Sequence, residues 1–340
     1  MNFQHLIKVE DPQKYIDMAF NEASKKAYQE RQKKSPKKWT KTDKSRRIES
    51  LRVETVAKRL AKDLKTIIES FPSIDNLDIF YQELIKTALD YVHLKKSLGA
   101  VNWLINTLKR LQAEYVRKIK KSRAIRDMNA ARKEFYGRAV SLLKQIKKEL
   151  AFLENSRKIM KSFPAIKTET PTVAIAGFPN VGKSTLLKEI TGSEPKIASY
   201  PFTTQQLMLG YLKDKEQGLK IQFIDTPGLL DRPLKKRNII EKQAILALKH
   251  LAKLMLFVFD ASEECGYDLF EQEKLLRDLK KEFKVKTIIA VNKSDISSAA
   301  DLEAMKKKYS DAIFVSAKKK ENIRELTEEI KRKIKLLRKC

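Results

Sequence analysis

Cysteine is nearly absent from this chain of 340 residues, which has only Cys265 and Cys340. Neither gives a metal-site or disulfide spacing, which suits a reducing compartment. The three histidines, His5, His93 and His250, stand apart from any Cys or His cluster and read as packing or surface residues. Long apolar runs are missing too. Runs such as Leu254–Phe259 suit a buried strand and are far too short to span a bilayer. Met1–Leu6 hold no apolar signal core, so a cytoplasmic setting without integral membrane association is expected. Acidic residues are in short supply, with 43 Asp and Glu against 72 Lys and Arg, a net charge of +29. Thermal adaptation enriches both signs. An excess of one sign points instead to a polyanionic partner. There is no internal repeat and no base-reading motif such as a zinc finger.

What the chain does have is Gly177-Phe178-Pro179-Asn180-Val181-Gly182-Lys183-Ser184. This fits Gly-x-x-x-x-Gly-Lys-Ser, between a strand-like run (Thr172–Ala176) and a segment of helical composition (Thr185–Ile190). Strand, glycine loop and helix is the context that a phosphate-binding loop requires. Backbone N–H groups of the loop and of the helix N-terminus favour anionic oxygens. Gly177 and Gly182 let the backbone approach closely, and Asn180, Val181 and Thr185 complete the expected lining. Lys183 is placed to reach the β- and γ-phosphates and Ser184 to offer a hydroxyl to Mg²⁺.

The base is read further along. Asn292-Lys293-Ser294-Asp295 closes the apolar run Val285–Val291, at a strand's carboxyl end, where open α/β sheets bind ligands. A carboxylate at Asp295 can accept from guanine N1–H and from the 2-amino group. Adenine lacks the second donor and turns an acceptor toward the carboxylate. Ser316-Ala317-Lys318 follows the later strand Ala312–Val315 and is expected to line the same base. Between these motifs lies Asp225-Thr226-Pro227-Gly228, after the strand Ile221–Ile224. Asp225 is placed to hold Mg²⁺ through water, and the Gly228 N–H to meet the γ-phosphate. The expected ligands are therefore GTP or GDP and Mg²⁺.

The first half reads as helices. Val53, Val56, Leu60, Leu64, Ile67 and Phe71 recur at steps of three and four. So do Leu94, Leu98, Val101, Ile105, Leu108 and Leu111. Ile125, Met128, Phe135, Ala139, Leu142, Ile146, Leu150 and Leu153 make the longest stripe. These faces predict an antiparallel bundle. Asp11-Pro12 suits a helix start and Pro72 a break. The expected organisation is a basic all-α helical bundle over residues 1–165, a linker over 166–171, and an α/β P-loop GTPase domain over 172–340. That second domain should have a mostly parallel sheet with helices on both faces. Basic residues cluster from Arg31 to Arg47, read as a loop or arm, and from Lys109 to Lys148. Both clusters suit the phosphates of a polyanion.

The order of these motifs resembles GTPases of the translation-factor-related class, and Tyr200-Pro201-Phe202-Thr203-Thr204 resembles the Obg-like group within it. The stretch from Tyr136-Gly137-Arg138-Ala139 through Lys158 to the phosphate loop narrows the resemblance to the nucleolar GTP-binding protein (Nog) family. That resemblance implies hydrolysis of GTP to GDP in large ribosomal subunit assembly, with ribosomal RNA bound through the helical domain. The alternative is a nucleotide-gated signalling GTPase whose basic surface meets acidic proteins or membrane surfaces. The sequence stops soon after the GTPase domain, so no counterpart of the long C-terminal extension of eukaryotic members is expected. Oligomeric state is left open, with a monomer as the default.

The resemblance also implies that Thr204, or else Thr203, closes over Mg²⁺ and the γ-phosphate. The segments Ala198–Gln206 and Leu229–Asp231 would then move with the nucleotide. Leu229 stands where Ras-like enzymes keep a water-orienting glutamine, so slow intrinsic turnover is expected. Asn180 stands where potassium-dependent relatives place an asparagine that helps hold K⁺; it either does so here or merely shapes the loop. A potassium ion, or a ribosomal or protein activator, would supply the missing catalytic group.

Overall fold

A computed structural model describes residues 3–34, 36, 38–199, 206–214, 216, 218–227, 230–231, 245 and 248–339. The first six helices are α1 (Pro12–Gln32), α2 (Lys41–Ser70), α3 (Ile79–Ala88), α4 (Tyr91–Lys121), α5 (Ile125–Gln145) and α6 (Lys147–Lys161). Contacts divide the chain into two compact units. One comprises Gln4–Ser73 and Leu89–Lys161; the other comprises Met1–Phe3, Ile74–Ala88 and Ser162–Cys340.

In the helical unit α2 is central, packing against α1, α4 and α5, while α6 packs on α4. The predicted stripes form the core. Val53, Val56, Leu64 and Ile67 are fully buried on α2, as are Val101 and Leu108 on α4 and Met128 and Phe135 on α5. The faces are rotated slightly from the expected ones. Leu104 and Leu143 are buried, while Leu98, Leu111 and Leu142 are half-buried and Ile125 is exposed. Asp11 caps α1 by accepting from the Gln13 N–H, with Pro12 at the first position. The longest stripe is two helices, because α5 ends at Gln145 and α6 begins at Lys147.

The Arg31–Arg47 arm corrects the expectation. Among the described residues of this run, only those between Gln32, where α1 ends, and Lys41, where α2 begins, lie outside helix. The reason is a capping box. The Thr40 hydroxyl accepts from the Asp43 N–H at 3.1 Å, and the Asp43 carboxylate accepts from the Thr40 N–H at 3.1 Å. The two bonds satisfy donors that a helix start leaves without partners, so α2 begins inside the basic run.

The second unit is built on a seven-stranded sheet. Its strands are β1 (Thr172–Ala176), β2 (Lys196–Ser199), β3 (Gln206–Asp214), β4 (Leu219–Asp225), β5 (Ala252–Asp260), β6 (Lys286–Asn292) and β7 (Ile313–Phe314). The order is β2-β3-β4-β1-β5-β6-β7. The five strands from β4 to β7 are parallel, and β2 and β3 pair antiparallel at one edge. Helices α7 (Lys183–Thr191), α8 (Leu269–Phe283), α9 (Ala299–Lys308) and α10 (Ile323–Lys339) connect or cover the strands.

Helix α3 lies in this unit although it falls within the sequence segment 1–165. The buried Tyr81 explains the attachment. Its hydroxyl lies 3.0 Å from the carbonyls of Pro164 and Ile166 and accepts from the Ile166 N–H at 2.9 Å. Burial pushes this phenol up to about 12. One residue on, the Lys167 N–H donates to Gln222 Oε1 of β4 at 3.1 Å, and Gln222 Nε2 donates to Thr172 Oγ1 at 3.0 Å. The chain enters the sheet through this buried polar bracket.

Candidate functional site

The motif residues meet at the carboxyl ends of the parallel strands. β1 is buried along its whole length and delivers the chain into the phosphate loop. Gly177 has φ +140°, and a Cβ there would stand 2.5 Å from the Val258 carbonyl oxygen. Gly182 has φ +94° and ends against the Asn292 side-chain amide, where a Cβ would collide. Both are positions that only glycine fills without strain. Asn180 is exposed and left-handed at φ +63°, a conformation that asparagine tolerates better than most residues. α7 starts at Lys183, with Ser184 and Thr185 exposed on its first turn. Its N-terminal N–H groups thus face the loop.

Lys183 is buried, and its ammonium donates to the carbonyls of Gly177 at 2.9 Å and Phe178 at 2.7 Å. Burial holds it below the ordinary lysine range, against the opposing pull of Asp225 and Asp231. Asp225 at the end of β4 is fully buried, and burial raises its carboxyl, with Lys183 acting against the rise. Ser184 Oγ donates to Asp225 Oδ2 at 2.9 Å. Two polar atoms remain without a hydrogen-bond partner in this pocket, Asp225 Oδ1 and Thr226 Oγ1. Orphaned buried oxygens beside a hydroxyl and a carboxylate are a donor set for a hydrated Mg²⁺, which binds through few protein oxygens plus phosphate and water. Among the described residues no group of three or more His, Cys, Asp or Glu gathers to hold a metal by itself.

Asn292 joins the halves of the site. Its Nδ2 donates to the Val181 carbonyl at 2.8 Å and its Oδ1 accepts from the Ala317 N–H at 2.9 Å. Lys293, left-handed at φ +59°, donates to the buried Asp260 at 2.7 Å. The Asp295 carboxylate is 7 % exposed and is held below the ordinary range first by a hydrogen bond with Ser316, then by the charges of Lys319 and Lys318. It stays an acceptor-only anion near neutrality. Ser316 and Ala317 are buried and Lys318 exposed. A bridge between Ser316 and Glu321 shapes their loop.

Gly177, Asn180, Val181, Gly182, Lys183, Ser184, Thr185, Asp225, Asn292, Lys293, Asp295, Ser316, Ala317 and Lys318 therefore belong to one cluster of loops. Thr203, Thr204, Gly228 and Leu229 lie outside the described residues. The phosphate loop does touch the segment beyond them, since the Gly177 N–H donates to the Leu230 carbonyl at 3.1 Å. Asp260, Gln272 and Tyr267 were missed by sequence reasoning. The usable signal was an aspartate at the carboxyl end of the apolar β5 run.

Comparison with known proteins agrees with this arrangement. Residues 3–167 match the model of the NOG1 N-terminal helical domain, and residues 172–293 match the model of the 50S ribosome-binding GTPase. An uncharacterised protein of Methanocaldococcus jannaschii is 45% identical over 285 residues, 84% of this chain and 78% of that protein. Nucleolar GTP-binding protein 1 of Drosophila melanogaster is 34% identical over 305 residues, 88% of this chain and 45% of that protein. Nucleolar GTP-binding protein 1 of Encephalitozoon cuniculi is 35% identical over 280 residues, 80% of this chain and 52% of that protein. The chain spans about half the length of these two nucleolar relatives. It belongs to the nucleolar GTP-binding protein family, a helical N-terminal domain followed by a P-loop GTPase domain on a mostly parallel sheet.

Proposed function

We propose that this chain binds GTP at the cluster described above, hydrolyses it to GDP and phosphate, and uses the cycle to gate docking on ribosomal RNA during large-subunit assembly. The observation that carries the nucleotide reading is Asn292, which ties the phosphate loop to the base loop so that one ligand engages both. Lys183 and the backbone N–H groups of the loop and of α7 bind and orient the β- and γ-phosphates. Asp295 accepts the two guanine donors, with Ser316, Ala317 and Lys318 flanking the base. Ser184 and Asp225, joined by Thr204 as the family resemblance implies, are the residues that hold Mg²⁺. Held there, Mg²⁺ would supply positive charge to offset that of the phosphates. Leu229 offers the attacking water no hydrogen bond, so hydrolysis depends on K⁺ beside Asn180 or on a ribosomal or protein activator.

The RNA reading is supported by the way two basic runs converge at one end of the helical unit. Arg46 Nη2 on α2 donates to the Ser122 carbonyl at the α4–α5 turn at 3.1 Å. Lys33, Lys34 and Lys38 on one side of this contact, and Lys120, Lys121 and Arg123 on the other, are all exposed. Trp39, next to Lys38 and 42% exposed, offers a stacking face for an unpaired base. Among the described residues no helix is long and apolar enough to cross a membrane. The site of action in this reading is the cytoplasm.

Asp295→Asn tests the base assignment: GTP affinity should fall sharply and xanthosine triphosphate should become the preferred ligand. Equal affinity of the native chain for ATP and GTP would end the reading. Sedimentation with large-subunit particles, abolished by nuclease, tests the partner. Association that survives nuclease would transfer the basic surface to a protein or membrane partner.

A further inference from the structure

Asp260 ends β5 and is paired in register with Asn292 at the end of β6. It is fully buried, and its carboxylate is saturated with donors. Oδ1 accepts from the Ser262 N–H at 3.0 Å and the Ser262 hydroxyl at 2.5 Å. Oδ2 accepts from the Cys265 N–H at 3.0 Å and from Lys293 Nζ at 2.7 Å. A buried carboxylate is expensive without a cationic partner, and Lys293 is the close one. Glu264, the other acid near Lys293, is 3.9 Å away and largely exposed.

This pair controls where Lys293 can go. The residue follows Asn292, which is bonded to the phosphate loop, and precedes Asp295 by two. Its backbone is left-handed, a conformation that costs energy for lysine unless the surroundings enforce it. With the ammonium fixed on the neighbouring strand, the aliphatic stem spans the strand ends from β6 to β5. The turn that carries Asp260 is itself locked from α8. Gln272 accepts from the Asp260 N–H at 2.9 Å and donates to the Asp260 and Tyr267 carbonyls, each at 3.0 Å. Tyr267 then stacks on Phe178 of the phosphate loop, with ring centroids 4.0 Å apart. One rigid turn thereby braces both the base loop and the phosphate loop.

We propose that Asp260 is a positioning residue for guanine specificity: its ion pair with Lys293 fixes the base loop so that Asp295 meets both guanine donors at once. The proposal rests on the reading of Asp295 as the guanine acceptor. The brace to the phosphate loop runs through the Asp260 backbone, Gln272 and Tyr267, whereas the brace to the base loop runs through the Asp260 carboxylate. Losing the carboxylate charge therefore misaligns the base loop while leaving the phosphate loop in place. GTP, which uses both contacts to Asp295, suffers more than inosine triphosphate, which lacks the 2-amino donor and uses only one.

The test is steady-state hydrolysis of GTP and inosine triphosphate by the full chain carrying Asp260→Asn, Lys293→Met or both. For Asp260→Asn the GTP KM should rise about tenfold or more, the scale of one charge-assisted hydrogen bond, while kcat holds and the preference for GTP over inosine triphosphate narrows; Lys293→Met should narrow the same preference. The double variant should be no worse than the worse single one, because both changes remove the same pair. A general loss of stability would not move the ratio between the two nucleotides. Should Asp260→Asn fail to fold, Lys293→Met carries the same measurement from the less buried side. A native nucleotide ratio in the folded variants, or penalties that add, would overturn the proposal. If the native chain prefers GTP to ATP and Asp295→Asn switches the base while that ratio stays native, only the Asp260 inference falls. If the base switch itself fails, the underlying reading falls with it.

Discussion

The side-chain amide of Asn292 donates to the Val181 carbonyl at 2.8 Å, fastening the base-reading loop to the phosphate loop across 111 residues of sequence. Its other end accepts from the Ala317 N–H, so a single buried side chain serves three loops. Asn292→Ala leaves the Val181 carbonyl and the Ala317 N–H without partners, at about 1–3 kcal/mol for each buried group. Guanine nucleotide affinity should fall roughly 10- to 100-fold, measured by titration with a fluorescent GDP analogue. Gly182→Ala should fail in the same assay, because its methyl group would strike the Asn292 amide. Affinities within about twofold of native would detach Asn292 from the site.

Asp225 makes a prediction about stability and pH. Burial raises its carboxyl above the ordinary value of 3.8. An acid raised in this way binds its proton more tightly in the folded chain than in the unfolded one. Its contribution to stability is therefore complete below the unfolded value and is lost as pH rises through the folded value. Nucleotide-free protein at neutral pH carries that cost. Asp225→Asn should melt higher than native without nucleotide, by roughly 2–4 °C per kcal/mol recovered, and the gap should widen as pH rises. With Mg²⁺ and GTP the order should reverse, since binding stabilises only the native protein. Calorimetry with and without ligand checks both arms, and a lower Tm for the ligand-free variant would contradict the first.

Potassium dependence can be tested without disturbing the loop. Asn180 has a left-handed backbone, so an alanine there would confuse strain with loss of a ligand. Asn180→Gly keeps the conformation accessible and removes only the amide. GTP hydrolysis should run faster in potassium than in sodium at equal ionic strength, and Asn180→Gly should abolish the difference. Equal rates in both salts for the native chain would leave the asparagine as a loop former and shift attention to an external activator.

The basic tip predicts how RNA affinity responds to salt. Neutralising Lys33, Lys34 and Lys38, or separately Lys120, Lys121 and Arg123, should each flatten the dependence of affinity on salt, by about one unit of slope for every phosphate that is no longer neutralised. The two sets should behave alike, because Arg46 and Ser122 bring them to one end of the bundle. Neutralising Lys62 and Lys65, in the C-terminal part of α2, should change little. Filter binding of structured RNA over a salt series gives the slopes, and identical slopes for all variants would remove the tip from the interface.

Elements whose information is local could be read from the residues before folding. Gly177 to Ser184 must form an anion-binding turn wherever a strand precedes it and a helix follows, because glycine conformation and helix dipoles act within a few residues. Asn292 to Asp295 and Asp225 were legible for the same reason, as were the buried stripe from Val53 to Ile67 and the Asp11-Pro12 helix start. The Thr40–Asp43 capping box was also written locally, but basic residues and Pro36 obscured it. The long-range partners emerge only in the folded chain. Nothing near Asp260 in sequence announces Lys293, 33 residues away, and nothing near Arg46 announces Ser122, 76 residues away. Tyr81 reaches Ile166 across 85 residues, and so assigns α3 to the nucleotide-binding unit. Hydrophobic periodicity shows that a helix has a buried face, but not which neighbour covers it. Buried polar groups choose those neighbours, because each must find a partner once water is excluded.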